Sequence, residues 1–73
     1  MEENFLINLG LLIKRARQAK NISQEELAWQ CNITKNGLGK IELGRSNVKI
    51  TTLVKLLTVL NIKFQEIQNI IKI

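Results

Sequence analysis

Residues 22–44 allow few folds, because they hold two helix starts and two helix stops with almost no chain between them. Ser23 followed three residues later by Glu26 has the form of a capping box, and it opens a helix running to about Cys31. Leu27, Ala28 and Cys31 fall on its inner face. Asn32 ends it where a left-handed backbone is needed, Ile33 drops into the core, and Thr34 caps the next helix. Leu38 and Ile41 anchor that second helix from one side, and Gly44 stops it. Its outer face has no apolar stripe and carries Lys35, Asn36 and Lys40 instead. Gly37 and Gly39 weaken it intrinsically, so tertiary packing has to hold it together.

Three further helices follow from periodicity. Over residues 4–20, Leu6, Leu9, Ile13 and Ala16 recur at helical steps, with Lys14, Arg15 and Gln18 opposite. Gly10 inside this stretch marks close packing rather than a break, and Asn21 supplies a left-handed C-cap. After a polar, basic loop over 45–50 with Val48 as its inward plug, Thr51 or Thr52 opens a helix carrying Leu53, Leu56, Leu57 and Leu60. Beyond the Asn61 turn, Ile62 and Phe64 lead into a final amphipathic helix over about 64–72, with Ile67, Ile70 and Ile71. The expected fold is all-α, five helices in one domain over 1–73, without a strand, an internal repeat or a linker.

Composition narrows what such a domain does. A chain of 73 residues buries only about 60% of the surface its unfolded form exposes, so its core is marginal and a partner chain would help. Cys31 is the single cysteine, which rules out an internal disulfide and suits a reducing cytoplasm. Without His or Asp, the usual metal clusters and nucleophile–base pairs cannot be assembled, so neither an enzyme nor a cofactor is expected. The net charge is +5, and its distribution is informative. Five of the six acids are Glu2, Glu3, Glu25, Glu26 and Glu66, whereas from Lys35 to Lys55 a single acid, Glu42, faces five bases. A nucleic-acid face through the middle of the chain accounts for that asymmetry. No apolar run approaches the length of a membrane span and no signal-peptide pattern occurs, so a soluble cytoplasmic protein with no membrane partner is expected; no small-molecule ligand is evident.

Taken jointly, these parts resemble the phage repressor and Cro-like (XRE) family of helix-turn-helix domains, over nearly the whole chain. That family's layout has a basic first helix ending in Arg, then apolar-polar-Gln-x-x-Leu-Ala, a turn with an apolar anchor, a recognition helix ending in apolar-Glu-x-Gly, and a leucine-rich fourth helix. Here those parts are Arg17, Ile22-Ser23-Gln24-Glu25-Glu26-Leu27-Ala28, Ile33, Ile41-Glu42-Leu43-Gly44, and the leucines from Leu53 to Leu60. The loop Ser46-Asn47-Val48-Lys49-Ile50 lacks the proline common there and is similar to the controller proteins of restriction-modification systems. Gly37 and Gly39 stand where larger residues are common. The resemblance implies a lambda-repressor-like fold with its helix-turn-helix at about 23–43. It also implies a transcriptional regulator that binds an inverted-repeat operator in double-stranded DNA as a homodimer.

The major groove presents a pattern that distinguishes all four base pairs and admits an α-helix. Lys35, Asn36 and Lys40 are the candidates for base readout: Lys can donate to guanine O6 or N7, and Asn can make a two-point contact with adenine. Phosphate contacts fall to Ser23, Gln24 and Thr34 at the helix starts and to Arg45, Ser46, Asn47 and Lys49 in the following loop. The plain alternative is a set of solvated polar residues, with Ser23 and Thr34 acting only as caps. The resemblance also implies a structural ion pair between Arg17 and Glu42. Trp29, on the outer side of the second helix, is expected to lie flat against the first, a partner or backbone contact being the alternative. Cys31 is expected to be a small buried hydrophobe. Phe64, Ile67, Ile70, Ile71 and Ile73 carry more apolar surface than so small a core absorbs, and a symmetric dimer contact is the preferred explanation over an intramolecular one. The rival to a DNA-binding regulator is an antitoxin-type interaction module that holds another protein through this tail.

Overall fold

A computed structural model describes residues 2–71, and five α-helices make up all the regular structure among them: α1 (Glu2–Ala19), α2 (Gln24–Gln30), α3 (Lys35–Glu42), α4 (Ile50–Leu60) and α5 (Phe64–Ile70). The last helix ends at Ile70, short of the expected 72; Ile73 lies outside the described residues. Among the described residues no helix is long and apolar enough to cross a membrane.

The first four helices end by one device. Asn21, Asn32, Gly44 and Asn61 each adopt a left-handed backbone, with φ of 58°, 57°, 73° and 56°. Each is followed by a residue whose N–H reaches back to a carbonyl of the final turn: Ile22 to Arg17, Ile33 to Ala28, Arg45 to Lys40 and Ile62 to Leu57. This is the Schellman closure, which satisfies carbonyls a helix end would otherwise leave open. Three of the four closures are the dipeptide Asn-Ile. Asn tolerates the left-handed turn, and the Ile after it packs against the core, with Ile62 buried and Ile22 and Ile33 partly so.

Starts are less uniform. Ser23 Oγ accepts from the Glu26 N–H at 3.0 Å and Thr34 Oγ1 from the Gly37 N–H at 2.9 Å, so both caps act as such. The Glu26 carboxylate accepts from Gln30 Nε2 at 2.6 Å. Helix α4 begins at Ile50, ahead of the expected Thr51 or Thr52, and its N-cap Lys49 makes no side-chain cap. In α5 the Glu66 carboxylate accepts from the Lys63 N–H at 3.0 Å.

Every helix contributes to one core: Leu9 and Ile13 of α1, Leu27 and Ala28 of α2, Leu38 and Ile41 of α3, Leu56 and Leu60 of α4, and Ile67 of α5, with Cys31 and Ile62 between them. Full burial of each large aliphatic side chain is worth about 1.5–3 kcal/mol. Helix α1 packs against α3, α4 and α5, while α2 packs against α3 and α4. Two glycines set the closest approach. A Cβ on Gly10 would lie 2.5 Å from the carbonyl oxygens of both Ile41 and Glu42, and one on Gly44 would lie 2.6 Å from Ile7 Cα. The backbone of α1 therefore rides directly over the C-terminal end of α3.

Trp29 departs from expectation. Rather than lying on α1 it is 78% exposed, because Leu27, Ala28 and Cys31 take the inward side of α2 and Trp29 falls opposite them at about 100° per residue.

Candidate nucleic-acid interface

Helix α3 is held from one side only. Leu38, Ile41 and Glu42 are buried, which turns Lys35, Asn36 and Lys40 outward, all three exposed. Asn36 and Lys40, four apart, are neighbours on that face, and Lys35 lies next to the Thr34 cap. The base-readout candidates thus share a helix surface that the rest of the fold leaves open.

The phosphate candidates flank it. Ser23 and Thr34 stand exposed at the starts of α2 and α3, each already serving as a cap. Arg45, Asn47 and Lys49 are exposed in the α3–α4 loop, whereas Ser46 is half-buried and donates to the Asn47 carbonyl at 3.2 Å. Between the start of α3 and this loop runs an open groove of about 240 Å³, lined in part by Thr34, Gly37, Ser46, Asn47, Lys49 and Thr52. Ile33, Ile41 and Val48 form its apolar part, and the hydrogen-bonding groups at its rim are ones a backbone phosphate can approach.

The one acid in this segment is neutralised from behind. Arg17 Nε donates to Glu42 Oε2 at 2.7 Å and Arg17 Nη2 to Glu42 Oε1 at 3.2 Å, a two-point geometry, while Arg17 Nη1 donates to the Ile22 carbonyl at 2.9 Å. It is the one ion pair among the described residues, with side-chain exposures of 11% for Arg17 and 2% for Glu42. Spacing alone did not reveal the third member: Gln24 Nε2 donates to Glu42 Oε1 at 2.9 Å. One carboxylate therefore ties α1, α2 and α3 together. Gln24, expected at a phosphate, has one amide hydrogen committed inward; an amide nitrogen carries a second. With Glu42 cancelled by Arg17, the outward field of this face comes from Lys35, Lys40, Arg45 and Lys49.

The tail residues divide. Phe64 is 66% exposed and Ile71 is 41% exposed, Ile70 is partly covered, and Ile67 is 6% exposed within the molecule's own core. Ile67, one of the expected dimer contacts, thus takes part in the core, on a helix that packs against α1. Ile50 and Val54, four apart on α4, add exposed apolar surface that was not anticipated. Cys31 is fully buried, and burial pushes its thiol up, outweighing the opposing pull of Lys55, so it stays protonated and packs as a hydrophobe. Among the described residues no three His, Cys, Asp or Glu side chains converge as a metal site would require.

Known proteins share this fold. The helix-turn-helix family model matches residues 13–67, from the second half of α1 into α5. The chain is 36% identical over 53 residues, 73% of its length, to the SPbeta prophage-derived uncharacterized HTH-type transcriptional regulator YonR of Bacillus subtilis (strain 168). It spans about half of that relative, 49% of its length. The crystal structure of the restriction-modification controller protein C.AhdI from Aeromonas hydrophila matches with a TM-score of 0.78 at 34% identity, covering 85% of this chain and 94% of that one. With the motif, the exposed outer face of α3 and the family match all falling on the same residues, the chain belongs to the helix-turn-helix family, of the XRE type.

Proposed function

We propose that this protein is a cytoplasmic, sequence-specific DNA-binding transcriptional regulator that occupies an inverted-repeat operator as a homodimer, with α3 in the major groove. The observation that carries the reading is the joint exposure of Lys35, Asn36 and Lys40, with Asn36 and Lys40 on the side of α3 opposite Leu38, Ile41 and Glu42 and Lys35 at the open start of the helix. Asn36 reads an adenine through its N6 and N7 edge, and Lys35 and Lys40 donate to guanine O6 or N7. Ser23, Thr34, Arg45, Ser46, Asn47, Lys49 and the spare amide hydrogen of Gln24 set the register on the phosphates. The likeness to YonR, a transcriptional regulator, and to C.AhdI, a controller protein, supports the same class.

Replacing Lys49 by Ala is expected to weaken binding to all duplexes alike and to reduce the slope of log affinity against log salt by about 0.9. Replacing Lys40 by Ala is expected to cost about 1–3 kcal/mol on the preferred site and to relax the choice at one base pair. Fluorescence anisotropy at several salt concentrations separates the two. A wild type with no preference for any inverted repeat over random duplex would sink the proposal.

Pairing through Phe64 and Ile71, with Ile70 beside them, would set two α3 helices about one DNA turn, roughly 34 Å, apart. Phe64→Glu is expected to shift the protein from dimer to monomer in sedimentation equilibrium while leaving helical content unchanged, since Phe64 lies outside the core. An unaltered dimer would place the contact elsewhere.

A further inference from the structure

Gly39 stands in the middle of α3, and nothing in the fold requires it to be glycine. A Cβ built there meets no atom within 4 Å, whereas Cβ atoms on Gly10 and Gly44 would strike backbone and one on Gly37 would come within 3.0 Å of the Thr34 cap oxygen. Gly44 is the positive-φ glycine; Gly39 is not, so no left-handed turn explains it either. Glycine is the poorest helix former apart from proline, and α3 has only eight residues over which to absorb that weakness. A residue that weakens the helix and serves no internal contact points outward for its reason.

Its neighbours say what lies there. On a helix, Lys35 and Leu43 are four positions from Gly39 and Asn36 is three, so all three adjoin it on the outer surface. Lys35, Asn36 and Leu43 are exposed side chains that project; between them Gly39 is a notch in which the helix backbone itself is the surface. Glycine is the residue that lets backbone come close to a ligand.

We propose that the bare backbone at Gly39 seats the C5-methyl of a thymine, making a T·A pair beside those read by Asn36 and Lys40 a fixed requirement of the operator. The inference rests on the reading of α3 as the groove helix. Thymine offers a methyl group in the major groove beside its O4 acceptor, where cytosine and the purines offer only hydrogen-bonding edges or bare ring carbon. A methyl needs room and an apolar surface, and the Cα of Gly39 gives both. Any Cβ at this position holds the helix off the groove floor by about a carbon–carbon bond length and shortens the reach of Asn36 and Lys40.

The test combines the site that the wild type selects from a random duplex library with four variants: Gly39→Ala, Gly39→Ser, Asn36→Ala and Lys40→Ala. Gly39→Ala is expected to raise Tm by about 4–8 °C, because the helix gains propensity without a clash. It should also lose about tenfold in affinity for the wild-type site, the scale of one wrong base pair, with non-specific binding unchanged. Gly39→Ser should lose affinity likewise. Replacing the critical thymine by deoxyuracil, which removes only the methyl, should weaken the wild type several-fold and leave Gly39→Ala almost indifferent. Full affinity in Gly39→Ala, a lowered Tm, or a wild type blind to the methyl overturns the inference. If Asn36→Ala and Lys40→Ala lose binding while Gly39→Ala does not, this inference alone fails. If those two bind as the wild type does, or the library returns no preferred site, the groove-helix reading fails and carries this one down.

Discussion

Replacing Glu42 by Ala is expected to remove about 3–5 kcal/mol of folding stability, the range found when one partner of a buried ion pair is left without the other. That is a large part of the roughly 5–15 kcal/mol a domain holds, and a chain this short stands near the lower end. The side chain is almost wholly buried and accepts three N–H donors, two from Arg17 and one from Gln24. After truncation the Arg17 guanidinium, itself only 11% exposed, retains the Ile22 carbonyl as its acceptor and has lost the carboxylate that balanced its charge. Glu42→Gln is the sharper variant because its shape is nearly unchanged. Whichever terminal atom becomes the amide nitrogen, it sets a donor against a donor: Arg17 Nε on one side, Arg17 Nη2 and Gln24 Nε2 on the other. Denaturant midpoints measure both effects, and an unchanged midpoint in Glu42→Ala would refute the role. The double variant Arg17→Met with Glu42→Leu is expected to recover much of the loss, since neither charge is stranded. Because the cluster joins α1, α2 and the end of α3, surviving folded Glu42→Ala should also present α3 at an altered angle and bind DNA less tightly.

What could be read in advance follows from the range of the forces involved. Helix ends are local: Asn21, Asn32, Gly44 and Asn61 announce left-handed stops, and Ser23 and Thr34 announce caps, because cap and capped group lie within a few residues of each other. The outward face of α3 was legible for the same reason, Leu38 and Ile41 fixing the inward side by spacing. The misses involve distance or competition. Gln24 finds Glu42 eighteen positions away, and only the packing of α2 on α3 brings the amide to a carboxylate that has an oxygen with a free lone pair to offer. Trp29 is expected on the outer side of α2 but flat against α1; Leu27, Ala28 and Cys31 do take the inward side, and Trp29 stays in solvent instead of covering α1. Ile67 looked like surplus apolar surface until α5 folded back on α1 and buried it. Spacing could say that the tail was too apolar for solvent; it could not say which isoleucine the monomer would claim.

Gly10→Ala is expected to destabilise the protein by about 1–3 kcal/mol even though alanine is the better helix former. In an open helix interior the exchange should gain about 1 kcal/mol. Here the added methyl would sit 2.5 Å from the Ile41 and Glu42 carbonyl oxygens and 2.8 Å from the Glu42 carbonyl carbon, all of them backbone atoms that no rotamer change can move aside. The Ile41 oxygen is also fixed, since it accepts from the Gly44 N–H at 3.0 Å in the closure of α3. Room can come only from lifting α1 off α3. That lift loosens Leu9 and Ile13 against the shared core and stretches the bond from Arg17 on α1 to Glu42 on α3. Gly10→Val, with two more carbons and a β-branch, should exceed the alanine loss and leave little folded protein. The informative comparison is between two glycines in helices given the same alanine: Gly10→Ala should lower the denaturant midpoint and Gly39→Ala should raise it. The intrinsic gain is the same at both sites, so a midpoint raised in both would mean that the carbonyls of α3 do not press on α1 as closely as the packing requires. Opposite signs tie the stability of this fold to the contact that aims α3.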